Sequence, residues 1–172
     1  SPILERFGKV EDLIRKDGFE PDFIFHNIIE GDSPSTMAKS TGMGLMDASM
    51  IFNNLKPDIL VVVGDRYEMM SVTLAAAYMN ILIVHTMGGE VTGTIDESIR
   101  HAITKFAHIH FPSNEDAKKR IIKLGEIPKY IFNYGCPRID LVKKELETNS
   151  VHFLKENFKK NKGVGSQINF NK

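Results

Sequence analysis

Residues 56–66 read Lys56-Pro57-Asp58-Ile59-Leu60-Val61-Val62-Val63-Gly64-Asp65-Arg66. A proline break, five aliphatic residues in a row and a glycine-led polar turn predict a strand over residues 59–63. The run does not alternate with polar residues, so both of its faces are expected to be covered, as in a parallel strand between helices. Downstream, residues 67–79 have a helical period with Met70, Leu74, Ala77 and Tyr78 expected inward, and residues 81–86 form a second apolar strand. That strand runs into Gly88-Gly89 and a loop holding Glu90, Thr92, Thr94, Asp96 and Glu97. Thr94 and Glu97 have the spacing of a capping box, which opens a helix carrying Ile99, Ile103 and Phe106 to about residue 107. Residues 109–112 follow as a strand, Ser113-Asn114 cap a helix to about residue 124, and residues 130–134 are a further strand.

Upstream, residues 35–55 predict a long helix whose methionines read as core filler, despite the cost of Gly42 and Gly44. Residues 22–29, between Pro21 and Gly31-Asp32-Ser33-Pro34, predict a strand, and residues 3–15 a helix closed by Asp17-Gly18. Strands and helices alternating about every 25 residues imply βαβ units on a parallel α/β sheet. Beyond Arg138, helical stretches are expected at residues 139–147 and 151–159. Residues 1–160 are then one incomplete domain, and 161–172, with Gly163 and Gly165, a linker.

Composition narrows the function classes. The 172 residues hold 22 Lys and Arg against 22 Asp and Glu, so there is no basic field for nucleic acid or an acidic membrane. The lone Cys136 forms no internal disulfide and no zinc site, which fits a reducing cytoplasm. No apolar run approaches the roughly 20 residues of a membrane span, and the start lacks a signal-peptide pattern. The chain is expected to be soluble and cytoplasmic, and its first residue, Ser1, suggests a cut from a longer product.

The chemistry-bearing residues gather where strands end. Asp65 can accept a proton and Arg66 can hold a phosphate or carboxylate through two hydrogen bonds; a turn-closing Asp-Arg pair is the structural alternative. Glu90, Asp96 and Glu97 lie by a helix start, where amide groups and the helix dipole favour anions. Glu97 reads as a capping partner, which leaves Asp96 to join Asp65 as a second carboxylate for acid and base work. His85 stands at a strand end beside the glycine pair, a position open to substrate. No histidine arrangement makes a metal pattern, and there is no Walker or dinucleotide glycine fingerprint.

The segments KPDILVVVGDR, AAAYMNI, HTMGGEVTGTIDESIRHAITKFAH and GCPRID resemble the hydrolysing UDP-N-acetylglucosamine 2-epimerases of sialic acid and nonulosonate biosynthesis. With a weaker match over residues 1–44, the resemblance covers most of the chain to about residue 147. It implies a Rossmann-like sheet with helices on both faces, part of the N-terminal domain of a two-domain, glycosyltransferase-B-like enzyme. The nucleotide sugar would lie between this domain and a C-terminal domain absent from this sequence. The implied reaction uses neither metal nor NAD: a base removes the proton at carbon 2 as UDP leaves carbon 1, and water adds to the 2-acetamidoglucal to give N-acetylmannosamine. By motif, Asp65 and Asp96 match catalytic carboxylates and Arg66 a substrate-binding arginine. His85, Gly88, Gly89, Glu97 and Arg100 are candidates for substrate binding around them.

The sequence departs from the family in two places. The family often carries a glutamate two residues after the motif histidine, where this chain has Met87, and a thioether cannot move a proton. Glu90 in its place, another way of handling water, or a branch that is slow, altered in substrate or inactive are the alternatives. The chain also begins beyond the family's first strands and stops before the domain that makes most nucleotide contacts. By itself it is therefore expected to self-pair or aggregate and not to epimerise, whereas the family's full-length enzymes tend to be homo-oligomers. A non-hydrolysing epimerase, a glycosyltransferase on the same fold, or a non-catalytic nucleotide-sugar binder are the competing functions.

Overall fold

A computed structural model describes residues 10–29 and 33–148. The expectations for residues 3–9, 151–159 and 161–172 fall outside them. The chain divides into two units, Ser1–Tyr134 and Gly135–Lys172.

In the first unit, helix α1 (Val10–Lys16) is followed by α2 (Pro34–Leu55), β1 (Ile59–Val63), α3 (Tyr67–Tyr78), β2 (Leu82–Thr86), α4 (Ile95–Phe106), β3 (Ile109–Phe111) and α5 (Glu115–Lys123). The second contains α6 (Pro137–Thr148). Helix α2 starts where the sequence supplies a cap: the Ser33 hydroxyl accepts from the Thr36 amide at 3.1 Å, and Pro34 takes the first turn, where no amide partner is needed. It stops at Lys56, a left-handed residue with φ 49° in a place usually held by glycine.

The sheet is parallel with order β1-β2-β3, so each strand lies beside its neighbour in sequence. Val62 pairs with His85 and His85 with His110, which sets Leu60, Val62, Ile83, His85 and His110 on one face. Ala75 and Ala76 of α3 and Ile103 of α4 pack there with Val62 and Ile83, while Ala48 and Phe52 of α2 extend the core. Burying isoleucines of this kind contributes about 1.5–3 kcal/mol each.

Four local expectations are corrected. Strand β1 is covered on one face only: Val62 is 1% exposed, whereas Ile59, Val61 and Val63 are 53%, 59% and 59% exposed on the other. Its outer edge has no partner strand among the described residues. Residues 22–29 form no strand; in place of a neighbouring ladder, Ser40 of α2 takes two of their hydrogen bonds. Asn27 Nδ2 donates to the Ser40 carbonyl at 3.3 Å, and the Ile29 amide donates to Ser40 Oγ at 2.9 Å. The strand expected at 130–134 shrinks to one bridge between Ile131 and His110, since Pro128–Tyr130 turns as a 3-10 helix. Tyr78, expected inward on α3, is 81% exposed, and Ala75 and Ala76 take the inward positions.

Candidate active site at the carboxyl ends of the strands

The ends of β1 and β2 deliver two polar loops to the amino end of α4, the edge where open α/β sheets hold ligands. Asp65 and Arg66 leave β1 through Gly64, and Gly88, Gly89 and Glu90 leave β2. Arg100, on the second turn of α4, joins them. Its Nη2 donates to Asp65 Oδ2 in a close ion pair, and its Nη1 donates to the Glu90 carbonyl at 2.7 Å. The Arg100 side chain is 4% exposed and that of Asp65 23%. Two acceptors at different angles suit the planar fork of arginine and not a lysine point charge.

Asp96 lies four residues before Arg100, hence on the same side of α4 at roughly 5–6 Å between Cβ atoms. It is half-buried in the first turn and makes no hydrogen bond to a described residue. The second oxygen of Asp65, Oδ1, is likewise without a hydrogen bond among the described residues. Asp65, ion-paired to Arg100 through Oδ2, thus keeps Oδ1 open, and Asp96 lies four residues before the same arginine on α4. Glu90 is more engaged: Ser113 Oγ donates to its Oε1, tying the β2 loop to the start of α5.

Glu97 does not complete the expected capping box. Thr94 is the N-cap residue, but its side chain makes no cap bond. The Glu97 carboxylate instead reaches back to the amides of Thr92 at 2.8 Å and Gly93 at 2.7 Å. The Gly93 and Thr92 N–H groups hold this carboxyl below its ordinary range, and the loop is folded over the helix start by them.

Arg66 points outward, 59% exposed, with its Nε 3.0 Å from Glu68 Oε2 and its guanidinium 5.6 Å from the Tyr67 ring centre. The Glu68 carboxylate keeps its pKa raised. This cation remains accessible to an anionic ligand. His85 is the opposite case: it is fully buried, with Nε2 2.9 Å from the Gly64 carbonyl and Nδ1 3.2 Å from Thr104 Oγ1. Burial pushes its pKa down to about 4.

The glycine pair is explained by packing. A Cβ on Gly88 would stand 2.9 Å from Thr104 Oγ1 and 3.0 Å from His85 Nδ1. One on Gly89, whose φ is +79°, would meet the Ala117 carbonyl and come within 2.8 Å of Ile121 Cγ1. Glycine lets α4 and α5 close onto the loop. Between strand and glycines sits Met87, half-buried, with φ 61° and its amide donating to the Phe111 carbonyl at 2.9 Å.

Sequence reasoning missed Thr104, Ser113 and Arg120, which hold His85, the Glu90 carboxylate and the Gly89 carbonyl. Thr104 had one usable signal, its place four residues after Arg100; the other two were legible only as a helix cap and a surface cation. Among the described residues, no group of three or more His, Cys, Asp or Glu side chains could hold a metal ion, and no helix is long and apolar enough to cross a membrane.

Comparison with known proteins bears on most of the chain. The UDP-N-acetylglucosamine 2-epimerase family model matches residues 14–168. A Legionella pneumophila UDP-N,N'-diacetylbacillosamine 2-epimerase (hydrolyzing) is 38% identical over 134 residues, 78% of this chain and 36% of the relative. A Campylobacter jejuni GDP/UDP-N,N'-diacetylbacillosamine 2-epimerase (hydrolyzing) is 44% identical over 117 residues, 67% of this chain and 30% of the relative. This chain thus spans about a third of the length of the curated relatives it matches. Among solved structures, the Neisseria meningitidis UDP-GlcNAc 2-epimerase bound to UDP-GlcNAc superposes with a TM-score of 0.71 at 20% identity, over 87% of this chain and 41% of that one. A Listeria monocytogenes structure described as a UDP-N-acetylglucosamine 2-epimerase gives 0.73 at 24% identity, over 89% and 41%. These two superpositions establish the shared α/β fold.

Proposed function

The chain belongs to the UDP-N-acetylglucosamine 2-epimerase family, and from that premise we propose that it forms the sugar-facing part of the N-terminal domain of a hydrolysing 2-epimerase. The substrate is UDP-N-acetylglucosamine or a related nucleotide-activated acetamido sugar. The observation that supports the reading is the Asp65–Arg100 ion pair, which leaves Asp65 Oδ1 open, together with Asp96 four residues before Arg100 on α4.

Epimerisation through an elimination needs one group to take the carbon 2 proton and another to return a proton on the opposite face. In the first step the C2–H electrons form the C1–C2 double bond as the C1–O bond breaks, and UDP leaves with that electron pair. In the second, water adds its oxygen to carbon 1 and a proton enters carbon 2 from the other side, giving the free 2-epimer. Asp65, through Oδ1, and Asp96 are the two proton carriers, with general acid–base help on the scale of about a hundredfold or more for each. Glu90 is the third carboxylate in reach, held by Ser113, and directs water where Met87 has no proton to give. Arg66 neutralises the departing diphosphate from its exposed position, while a second domain of the same polypeptide completes the nucleotide site. The full-length enzyme works as a homo-oligomer in the cytoplasm.

The test uses the intact polypeptide that carries this sequence, followed by proton NMR in deuterated water. Free UDP together with deuterium at carbon 2 is the expected result. Binding of the nucleotide sugar without exchange would make the protein a binder and end the epimerase reading. Transfer of the sugar to an acceptor would make it a glycosyltransferase instead.

A further inference from the structure

His85 and Arg100 were both expected to touch substrate, yet they are 0% and 3% exposed. Their hydrogen bonds point elsewhere. A backbone carbonyl can only accept, so the 2.9 Å contact between His85 Nε2 and the Gly64 oxygen requires the proton to sit on Nε2. In the neutral ring that burial enforces, Nδ1 is then a bare lone pair and must be an acceptor. Thr104 Oγ1 lies 3.2 Å from Nδ1 and 2.9 Å from the Arg100 carbonyl, and it has one proton to give. The Arg100 carbonyl, inside α4, already accepts a helical amide. The buried Nδ1 has no other donor, so the hydroxyl proton turns toward the ring.

The consequence is mechanical. Gly64 and Asp65 share a peptide unit, whose carbonyl is gripped by His85 on β2, while the Asp65 side chain is gripped by Arg100 on α4. Thr104, one turn after Arg100 on the same helix, anchors the ring. The three side chains hold the end of β1 at two points, and Oδ1 of Asp65 is the carboxylate oxygen that neither grip uses.

We propose that His85, Thr104 and Arg100 form a buried positioning unit that sets the carboxylate of Asp65 against α4, with His85 in the Nε2-protonated tautomer and Thr104 donating to its Nδ1. The unit acts through Asp65 and makes no contact with substrate. In its effect on turnover it rests on the epimerase reading above; its hydrogen-bond geometry does not.

Two measurements on the intact polypeptide test it. Without any sugar, the ring nitrogens of wild-type His85 in nitrogen-15 NMR should show a protonated Nε2 and a bare Nδ1 from about pH 5 to about pH 8. An Nδ1-protonated ring or an imidazolium in that range overturns the proposal, and no variant is needed to see it. Thr104→Val keeps the branched shape and removes the donor. It should shift the Asp65 carboxyl carbon-13 resonance and lower kcat for UDP release about tenfold, with KM within about twofold. Thr104→Ser should restore both. A rise in KM alone would mean that the unit touches substrate, and an unmoved Asp65 resonance would mean that it positions nothing; either result refutes it. If the wild-type protein releases no UDP but its Asp65 resonance follows the Thr104 hydroxyl, the unit stands and the epimerase reading falls.

Discussion

Removing the cation of the Asp65–Arg100 pair should be costly in stability, and the amount can be worked out from the surroundings. Arg100→Met keeps the length and apolar stem of the side chain but deletes the guanidinium. Breaking a fully buried ion pair by removing one partner costs about 3–5 kcal/mol, because the other charge is left without compensation. Asp65 is 23% exposed and can rehydrate in part, which brings the figure to about 2–3 kcal/mol. The donor to the Glu90 carbonyl at 2.7 Å is lost as well, adding about 1 kcal/mol. The single variant should therefore lose about 3–4 kcal/mol in urea unfolding followed by far-ultraviolet circular dichroism at low protein concentration. Asp65→Asn, which strands the cation instead, should lose about 2–3 kcal/mol. In the double variant the amide no longer needs a cation, so the two losses should fall short of additivity by about 2 kcal/mol. A coupling below about 0.5 kcal/mol would show that the pair does not hold the two loops together.

Further outcomes are equally direct. Asp65→Asn in the intact polypeptide should cut turnover by more than about a hundredfold, and near-normal turnover would remove Asp65 from the chemistry. Lys56→Gly should raise stability by about 1 kcal/mol, since Lys56 is exposed at φ 49° where an L side chain is strained; an unchanged or lower urea midpoint would contradict this. Acid should weaken the fold through His85. With a folded pKa of about 4 against an ordinary 6.5, the unfolded chain binds the proton first. Stability is then complete above about pH 6.5 and declines toward pH 4 by about 3 kcal/mol, a trend that His85→Gln should flatten. His110, whose pKa burial also lowers despite the neighbouring Glu126 carboxylate, adds in the same direction. Finally, the 172-residue chain should self-associate in sedimentation, and Val61→Lys on the exposed face of β1 should reduce this, while association unaffected by Val61→Lys would place the contact elsewhere.

The residues that announced the fold were those whose message is local. The run Ile59–Val63 and the apolar stretch before His85 each formed a strand, and Ser33-Pro34 and Asn114 started helices as their types dictate. Residues 22–29 and 130–134 were misread because a strand is a property of a pair. Their sequences suit an extended backbone, but one docked on Ser40 through the Ile29 amide and the 3-10 turn at Pro128 shortened the other. The full covering expected for β1 failed for a related reason, since an apolar run says that a face can be buried and not that something lies on it.

At the site, the sequence placed Asp65 and Glu90 beyond the ends of β1 and β2, where they lie, but not the hydrogen bonds made there. Glu97 has capping-box spacing from Thr94, yet its Oε2 accepts from amides four and five residues back, those of Gly93 and Thr92. His85 finds Gly64 across 21 positions and Thr104 across 19, and no local pattern encodes such a meeting. What could be read was that a histidine following an apolar strand shares the strand's alternation: two places after Ile83, His85 points toward the helices.

The neighbour-by-neighbour order of the sheet has a bearing on how the chain acquires its shape. Because Ile59 pairs with Leu82 and Val84 with Ile109, each strand docks on one made roughly two dozen residues earlier, and no closure spans the whole unit. Such a sheet can grow at the pace of translation, adding one βα step at a time. At about 5–20 residues per second, β1 waits on the order of a few seconds for β2 to emerge. In that interval Ile59, Val61 and Val63 are not the only exposed part of the strand, and the nascent chain passes through its most adhesive moment before α3 and β2 close over Val62.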